Sequence, residues 1–462
     1  MSAEAAVARS LIRRSGPGVS DVHLFRTTAG AHCLLVDGSR VFTVDEDVFG
    51  DLQRASSDPM DLARLIDGLD FGEPLFDDRG PPIAPPVRAL SLAVAQKCNL
   101  GCTYCYAQGG DFGGPPANMS IDVAFRAVDY LFNDAAAGDR VSLAFLGGEP
   151  LVNRPVLRAA TERAADLARA RGVRLALAIT TNGTLVTADD GEFFERHGFA
   201  VTVSLDGPQA SHDKLRMFRD GRCSFDTVVA NVAPLLTRQR AMQVSARVTV
   251  TPRNLQLRST LDTLIGMGFH SVGFSPLLSS PTGCDQLESG DLETMLEQMV
   301  DCGTRFERAV VAGERFPFAN AVNAMREIHR GSHRPYPCGA GVSYFGVSAE
   351  GDLAACHRFV GDDAGTMGSL REDVAGGVAR DRQARWLADR HVESQEPCRS
   401  CWARYLCGGG CHHEVIRRGR PACDFIRGWL HYCLEAYVRL LERRPDYFEG
   451  AERPVVRQET RL

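Results

Sequence analysis

The sequence lacks the features of a membrane-spanning, secreted or nucleic-acid-binding protein. No apolar run approaches the roughly 18–20 residues that a membrane-spanning helix needs. The net charge of −6 provides no basic excess for binding nucleic acid or an anionic membrane. The chain starts with an early acid, Glu4, and no apolar core, so we expect no signal peptide. The sequence therefore predicts a cytoplasmic protein that binds neither nucleic acid nor membrane.

Cysteine, by contrast, is abundant, with 15 residues in a chain of 462. Because cytoplasmic thiols stay reduced, this number indicates metal binding rather than disulfides. Three of the cysteines lie within residues 98–105, and eight lie between Cys338 and Cys433. The remaining four are scattered singly and are predicted to be ordinary core or surface residues: Cys33, Cys223, Cys284 and Cys302.

The first cysteine group, Cys98, Cys102 and Cys105, is one ligand short of a closed four-cysteine site. A [4Fe–4S] cluster normally takes four thiolates, so three would leave one iron open to a small molecule. The apolar run 89–95 just before the group predicts a buried strand, after which α/β folds place their ligands. A zinc site completed by a distant residue is the alternative that the spacing allows.

The length and the pattern of apolar residues predict an α/β protein of two or three domains. Three short strands are expected over residues 22–52, followed by a helix capped by Asp45. Six strand-like runs then alternate with amphipathic helices, which predicts a parallel sheet. Six units are too few for a closed eight-stranded barrel, so we predict a partial (β/α)6 barrel of the TIM type. The six strands are predicted at 91–95, 141–146, 173–180, 200–204, 244–251 and 270–275.

The pattern of the sequence changes after residue 337, where short turns and frequent cysteines replace the strand–helix alternation. Such a segment buries little apolar surface, so we expect metal to hold it together. A helix over 425–441 is predicted to close it. The predicted segments are a small α+β, winged-helix-like domain at 1–84, the partial barrel at 85–330, a Cys-rich iron–sulfur domain at 331–442 and a charged tail at 443–462.

Glycine and polar residues follow the next predicted strands. The turn Gly147-Gly148-Glu149-Pro150 ends the second strand, where its glycines would let the backbone approach a ligand. Glu149 could accept a hydrogen bond from an ammonium group of that ligand, and a purely structural turn is the alternative. The residues that end later strands could equally be turn formers.

The cysteine triad and the Gly-Gly-Glu-Pro turn together resemble the radical S-adenosylmethionine enzymes, over roughly residues 88–440. The resemblance implies that the triad holds a [4Fe–4S] cluster whose open iron binds S-adenosylmethionine. The cofactor is then cleaved to a 5′-deoxyadenosyl radical, which takes a hydrogen atom from the substrate. The resemblance assigns cofactor binding to Tyr104, Gly147, Gly148, Glu149, Pro150, Asn182, Ser204 and Arg247.

Asp206 is the predicted catalytic residue. It follows the fourth predicted strand and would face the substrate, where a carboxylate can take a proton. Because it precedes Gly207-Pro208, a turn-forming role is the alternative. His212 and Arg216 are expected to lie near Asp206, at the carboxyl end of the sheet.

The later cysteines resemble the SPASM extension of this family, which carries two auxiliary [4Fe–4S] clusters and so implies three clusters in all. A zinc knuckle over 398–411 is the alternative. Only three ligands are evident for the inner cluster, so we expect Cys433, another residue or a substrate thiolate to complete it. The implied ligands are Cys398, Cys401, Cys407 and Cys423 for the outer cluster and Cys338, Cys356 and Cys411 for the inner cluster.

The cysteine runs most resemble peptide maturases that form thioether cross-links, such as those of quinohemoprotein amine dehydrogenase and of six-cysteine peptides. The implied substrate is a Cys-containing ribosomal peptide or small subunit, cross-linked from sulfur to carbon, with Asp or Glu as acceptors in the quinohemoprotein branch. A flavodoxin or ferredoxin is the implied electron donor. The N-terminal domain is expected to bind a leader as an added strand, or only to pack. The alternatives are a formylglycine-generating dehydrogenase and a non-enzymatic zinc or iron–sulfur scaffold.

Overall fold

The computed structural model describes residues 10–11, 21–69, 71, 80–371 and 376–449. The N-terminal part confirms the predicted small α+β arrangement, an antiparallel sheet in the order β1-β2-β3 followed by two helices. Its elements are β1 (Val22–Thr27), β2 (Gly30–Leu35), β3 (Arg40–Val44), α1 (Glu46–Ala55) and α2 (Pro59–Gly68).

The sequence explains where these helices begin. Asp45 caps α1 as predicted, since its carboxylate accepts from the Val48 N–H at 2.8 Å. Asp58 caps α2 in the same way, with Pro59 in the first turn. Cys33 is fully buried in the small core of this region, which confirms its predicted role as an ordinary apolar residue.

The predicted partial barrel is confirmed by six parallel strands in the order β4-β6-β7-β8-β9-β10, each followed by helical chain. A two-residue strand, β5 (Ala117–Asn118), pairs with β4. The parallel strands are β4 (Ala89–Gln96), β6 (Arg140–Gly147), β7 (Arg174–Thr181), β8 (Ala200–Ser204), β9 (Gln243–Val250) and β10 (Ser271–Pro276). The helices are α3 (Ile121–Asn133), α4 (Arg154–Arg171), α5 (Ala188–His197), α6 (Gln209–Leu215), α7 (Phe225–Arg238) and α8 (Leu257–Gly266).

The sheet does not end at β4. Strand β11 (Tyr344–Val347) pairs with β4 in parallel, and three short antiparallel strands continue beyond it. These are β12 (Asp352–Ala354), β13 (Thr366–Ser369) and β14 (Gly377–Val378). Strands of two to four residues have too little alternation to be predicted from sequence, so this extension was not expected.

The remaining elements are helices on either side of the later cysteines. The predicted closing helix is confirmed as α14, which packs against α9 and α10 and buries Cys433 completely. The helices are α9 (Ser289–Val311), α10 (Ala319–Arg330), α11 (Arg380–Arg390), α12 (Arg404–Cys407), α13 (His412–Arg418) and α14 (Cys423–Arg443). None of the helices in the described ranges has the length and apolarity required to cross a membrane.

The chain divides into two compact units that interleave the predicted segments. The first contains the described parts of 1–81, 288–338 and 388–462, and the second contains 82–287 and the described part of 339–387. Because these units do not coincide with the predicted segments, the domain boundaries 1–84, 85–330, 331–442 and 443–462 remain predictions. Most of the predicted tail lies outside the described residues, which end at 449.

The helices α4 and α5 are joined by a buried carboxylate. Asp190 is 1% exposed and accepts from Arg154 at 2.7 Å and from Arg158 at 3.0 Å, besides closing a capping box with Thr187. Burial opposes its ionisation, but the hydrogen bonds from Arg154, Thr187 and Arg158 outweigh burial and lower the pKa of Asp190.

We predict that Asp190→Ala lowers the free energy of unfolding by about 2–4 kcal/mol, because it leaves two arginines without their common partner. Asp166→Ala is the matched control. Among the described residues that exposed carboxylate pairs with Arg169 alone, on the helix surface, and its loss should cost less than about 0.5 kcal/mol. Denaturant unfolding measures both. Equal effects of the two substitutions would contradict a structural role for Asp190.

Candidate active site

The triad loop begins where β4 ends and is held by the chain that follows α6. The Gly101 N–H donates to the Met217 carbonyl at 2.8 Å, and the Thr103 N–H donates to the Leu215 carbonyl at 3.1 Å. Leu100 forms a β-bridge with Phe218. The loop is therefore fixed by backbone contacts at the carboxyl end of the parallel strands, as the sequence predicted.

The three thiols of this loop lie in one neighbourhood. Burial raises the pKa of Cys102 to about 12; the charge of Arg216 opposes this shift, whereas Cys105 and Cys98 add to it. Cys98 Sγ lies 3.4 Å from the Leu100 N–H, a donor that would stabilise a thiolate. Since iron binds the thiolate, loading of the site must release protons from these cysteines.

The glycines of the Gly-Gly-Glu-Pro turn serve the triad loop itself. A side chain at Gly147 would come within 2.4 Å of the Ala95 carbonyl oxygen, and one at Gly148 within 2.3 Å of the Lys97 carbonyl oxygen. The Gly148 N–H also donates to the Ala95 carbonyl at 2.8 Å. We predicted that these glycines let the backbone approach a ligand, but in the structure the backbone that they approach is that of the triad loop. Pro150 follows as the first residue of a short 3-10 helix.

Glu149 is placed differently from the prediction. Its carboxylate is 0% exposed and accepts from the Leu151 N–H at 3.1 Å, the Thr181 hydroxyl at 2.8 Å and the Asn182 N–H at 2.7 Å. Burial raises its pKa, and these three hydrogen bonds oppose the shift. Through these donors Glu149 fastens the end of β6 to the end of β7, and its role toward a cofactor remains a prediction.

Asn182 lies beside the triad, as expected for a cofactor-site residue, but its amide is engaged within the protein. It donates to Asn99 at 2.9 Å and approaches Cys98 Sγ at 3.6 Å. Its side-chain oxygen accepts from the Thr184 N–H at 2.9 Å, which is the turn-forming role weighed above. Asn99 completes the group by donating to the Thr184 hydroxyl at 2.8 Å.

Asp206 is fully buried, and its carboxylate is engaged by groups of the protein itself. It accepts from the Thr249 N–H at 2.8 Å and from the Tyr104 hydroxyl, and it lies 3.9 Å from an Arg216 nitrogen. Arg216 in turn donates to Tyr104 at 2.7 Å. Burial raises the pKa of Asp206, and Arg216, Tyr104 and Thr249 oppose the shift. Asp206 is therefore a positioning residue, which holds Tyr104 and Arg216 next to the triad.

His212 holds the backbone of Asp206 in place. Its Nδ1 accepts from the Asp206 N–H at 3.2 Å, so its Nε2 carries the proton and donates to Ser224 Oγ at 2.9 Å. Burial lowers the pKa of His212 to about 3, aided by the charge of Arg216. The ring is consequently neutral and fixes the turn after β8 rather than lining an open mouth.

The other two residues that we assigned to cofactor binding remain accessible. Ser204 is partly buried at the end of β8, and Arg247 is exposed on the neighbouring strand β9. In the described part of the chain, the Arg247 guanidinium makes no hydrogen bond or ion pair. Both side chains therefore stay available to a ligand, and their roles remain predictions.

The residues of this site fit a cluster with one open iron and a cofactor bound to it. The thiols lie near one another, the Leu100 N–H and the Asn182 amide face Cys98, and residues 98–105 contain no fourth cysteine. No three His, Cys, Asp or Glu side chains in the described ranges are close enough to share one metal ion. A cluster does not require this, because each thiolate of a [4Fe–4S] cluster binds its own iron.

The four cysteines predicted for the outer cluster also converge. Burial raises the pKa of Cys398 to about 12; Arg420 opposes this shift, and Cys407, Cys423 and Cys401 add to it. The Gly408–Gly410 run has three consecutive positive φ angles of 71°, 90° and 78°. Burial raises the pKa of Cys407, and hydrogen bonds from the Gly409 and Gly410 N–H groups oppose this shift.

The inner set is less defined. Cys338 and Cys411 belong to the first compact unit and Cys356 to the second, so this ligand set remains a prediction. Cys433, the candidate fourth ligand, is fully buried on α14, where burial and the charge of Glu307 raise its pKa. Its surroundings are those of a core thiol.

Sequence reasoning did not identify the residues that link parts of the site to one another through hydrogen bonds. Asn99 is directly adjacent to Cys98, but nothing in the pattern indicates that it joins Asn182 to Thr184. Arg420, between the last two predicted ligands, likewise gives no signal beyond its charge.

Comparison with known proteins agrees with this geometry. Residues 92–264 match the radical SAM superfamily, so this part of the chain is a radical SAM domain. A cysteine-type anaerobic sulfatase-maturating enzyme of Clostridium novyi (strain NT) is 24% identical over 346 residues, which cover 71% of this chain and 89% of the relative. A serine-type enzyme of the same name from Bacteroides thetaiotaomicron is 24% identical over 407 residues, covering 82% and 94%.

A solved structure, native anSMEcpe with bound AdoMet and Cp18Cys peptide, has a TM-score of 0.61 and 20% identity with this chain. The match covers 78% of this chain and 100% of that one. At this identity the likeness establishes a shared fold, in agreement with the partial barrel described above.

We predict that Glu149→Gln lowers the melting temperature and the iron retained per chain, because an amide nitrogen would face one of three buried donors. The expected loss is about 1–3 kcal/mol of unfolding free energy. Glu162→Gln, on the exposed face of α4, is the control and should change neither quantity. If Glu149→Gln matched this control in both measurements, the carboxylate would not be fastening β6 to β7.

Proposed function

We propose, starting from the radical SAM domain that residues 92–264 form, that this enzyme modifies a Cys-containing polypeptide. The single observation that carries the proposal is the triad itself. Its three thiols lie at the end of β4, held against the ends of β6 and β7 by the Gly-Gly-Glu-Pro turn and Asn182. An accessible Ser204 and Arg247 on β8 and β9 leave room for the cofactor on the adjacent strands.

The chemistry requires the triad to hold an open cluster. When bound, that cluster supplies the electron that cleaves S-adenosylmethionine to methionine and a 5′-deoxyadenosyl radical. Tyr104, Asp206 and Arg216 keep the loop and its neighbours fixed while this occurs. The buried ring of Tyr104 packs with Leu215 and Leu277, which shields this side of the triad from water.

The finer proposal is that the product is a thioether. A substrate carbon, proposed to be that of an Asp or Glu residue, gives up a hydrogen atom, the cysteine thiol gives up a proton, and a C–S bond forms with one electron left over. The auxiliary clusters are the proposed acceptors of that electron. The burial of Cys433 supports this proposal, since it leaves the inner cluster with three evident ligands and a place for the substrate thiolate.

The wider proposal follows the resemblance noted above. The substrate would be a ribosomal peptide or small subunit, such as that of a quinohemoprotein amine dehydrogenase, and a flavodoxin or ferredoxin would supply electrons. The N-terminal sheet would bind a leader along β3, which pairs with β2 on one side only within the described sheet.

A second candidate is oxidation of a substrate Cys or Ser to an aldehyde. The names of the two sulfatase-maturating relatives favour it. This reaction would use the same predicted cluster ligands and form no cross-link. It would replace the sulfur of a cysteine by oxygen, whereas a thioether keeps the sulfur and loses two hydrogens.

We predict that the anaerobically reconstituted enzyme converts a Cys-containing substrate peptide to a product lacking two hydrogens and one alkylatable thiol. Mass spectrometry after treatment with a thiol reductant and an alkylating reagent measures both changes, and excludes a disulfide. A product that has exchanged sulfur for oxygen would contradict thioether formation and establish the second candidate.

We also predict that Cys102→Ala abolishes cleavage of S-adenosylmethionine and removes about four of about twelve irons per chain. Cys284→Ala, at an exposed position away from both cysteine groups, should leave cleavage and iron content unchanged. Stoichiometric zinc in the wild-type protein, or cleavage that persists in Cys102→Ala, would overturn the enzyme proposal.

A further inference from the structure

A partly buried cation lies next to the outer cysteines, and the proposed reaction does not use it. Arg420 lies in the loop between α13 and α14, on the chain that joins Cys411 to Cys423. We propose that Arg420 raises the reduction potential of the outer cluster and so makes this cluster easier to reduce. The inference rests on the proposed function, because that function includes an outer cluster held by Cys398, Cys401, Cys407 and Cys423.

The guanidinium of Arg420 is held in one place by two acceptors. One nitrogen donates to the side-chain oxygen of Gln395 at 2.5 Å, and another donates to the Gly409 carbonyl. Gln395 is itself anchored, because its side-chain nitrogen donates to the Arg390 carbonyl at 2.6 Å. A cation whose position is fixed in this way exerts a constant field on its surroundings.

Both anchors lie beside an outer-cluster ligand. A side chain at Gly409 would come within 4.0 Å of Cys398 Sγ and within 3.5 Å of the Gln395 side-chain nitrogen. The Arg420 guanidinium and Cys398 Sγ therefore both lie close to Gly409.

The charge of Arg420 is not compensated by a carboxylate. Other arginines near these cysteines are paired, Arg427 with Asp424 and Arg399 with Glu396 at 3.0 Å. Within the ranges that the structure describes, Arg420 forms no ion pair. Arg420 therefore places beside the outer thiols a positive charge that no carboxylate in the described ranges neutralises.

The consequence for the cluster follows from its charge. Reduction adds one electron, so the reduced cluster carries one more negative charge than the oxidised one. A nearby unpaired cation stabilises the reduced form more than the oxidised form, and the potential rises. In the test the electron comes from dithionite through mediator dyes.

The experiment is a redox titration of the full-length, anaerobically reconstituted protein, followed by electron paramagnetic resonance. A Cys102→Ala background removes the signal of the triad cluster, and a further Cys423→Ala variant identifies which remaining signal belongs to the outer cluster. In Arg420→Gln we expect roughly tenfold less reduced outer cluster at a fixed potential, equivalent to a decrease of about 59 mV for one electron. Arg420→Lys should remain close to the wild type, because it keeps the charge.

The matched control is Arg399→Gln, which removes an exposed and already paired arginine directly after Cys398, and it should leave the potential unchanged. If Arg420→Gln loses the cluster, Gln395→Glu tests the same charge with Arg420 present, since a carboxylate there would neutralise it and lower the potential. An unchanged potential in Arg420→Gln or in Gln395→Glu overturns the inference, as does an equal shift in Arg420→Lys.

Failure of the proposed function would have a different signature. If the wild-type protein shows no signal or iron that depends on Cys423, there is no outer cluster and the proposed function fails. If that signal is present but insensitive to Arg420, only the present inference fails.

Discussion

The site depends on one close contact, that between the backbone of the triad loop and the backbone of the Gly-Gly-Glu-Pro turn. Residues 147 and 148 have no side chains, and any side chain there would collide with the carbonyl groups of Ala95 and Lys97. The contact brings the end of β6 against the residues that lead into Cys98. The position of the Cys98 thiol is therefore set by the strands of the sheet rather than by the conformation of the loop alone.

Buried polar groups then make this contact rigid. Glu149, just after β6, accepts from Leu151 and from Thr181 and Asn182 at the end of β7, and Asp206 accepts from Tyr104 and the backbone of β9. Charged groups are rarely buried unless they are paired, because desolvation penalises the charged form. Both oxygens of each carboxylate accept hydrogen bonds, so the two side chains help to specify the geometry of the strand ends.

Much of the fold could be predicted from the sequence, because apolar runs and spacing report on burial. The six strands, the Asp45 cap and the closing helix were all correctly predicted in this way. The extension through β11–β14 could not be predicted, since its strands are too short to show a period and β11, which joins it to the sheet, pairs with β4 over a long sequence separation. The triad was evident from spacing alone. The partners of Glu149, Asp206 and Arg420 were not, because a hydrogen bond between distant residues leaves no local pattern.

The central claim is that the triad generates a radical that attacks a polypeptide. Transfer of deuterium from a fully deuterated Cys-containing polypeptide to 5′-deoxyadenosine, followed by mass spectrometry, tests it most directly. The account predicts one deuterium in each 5′-deoxyadenosine formed during product formation. Formation of product with 5′-deoxyadenosine that contains no deuterium would contradict it.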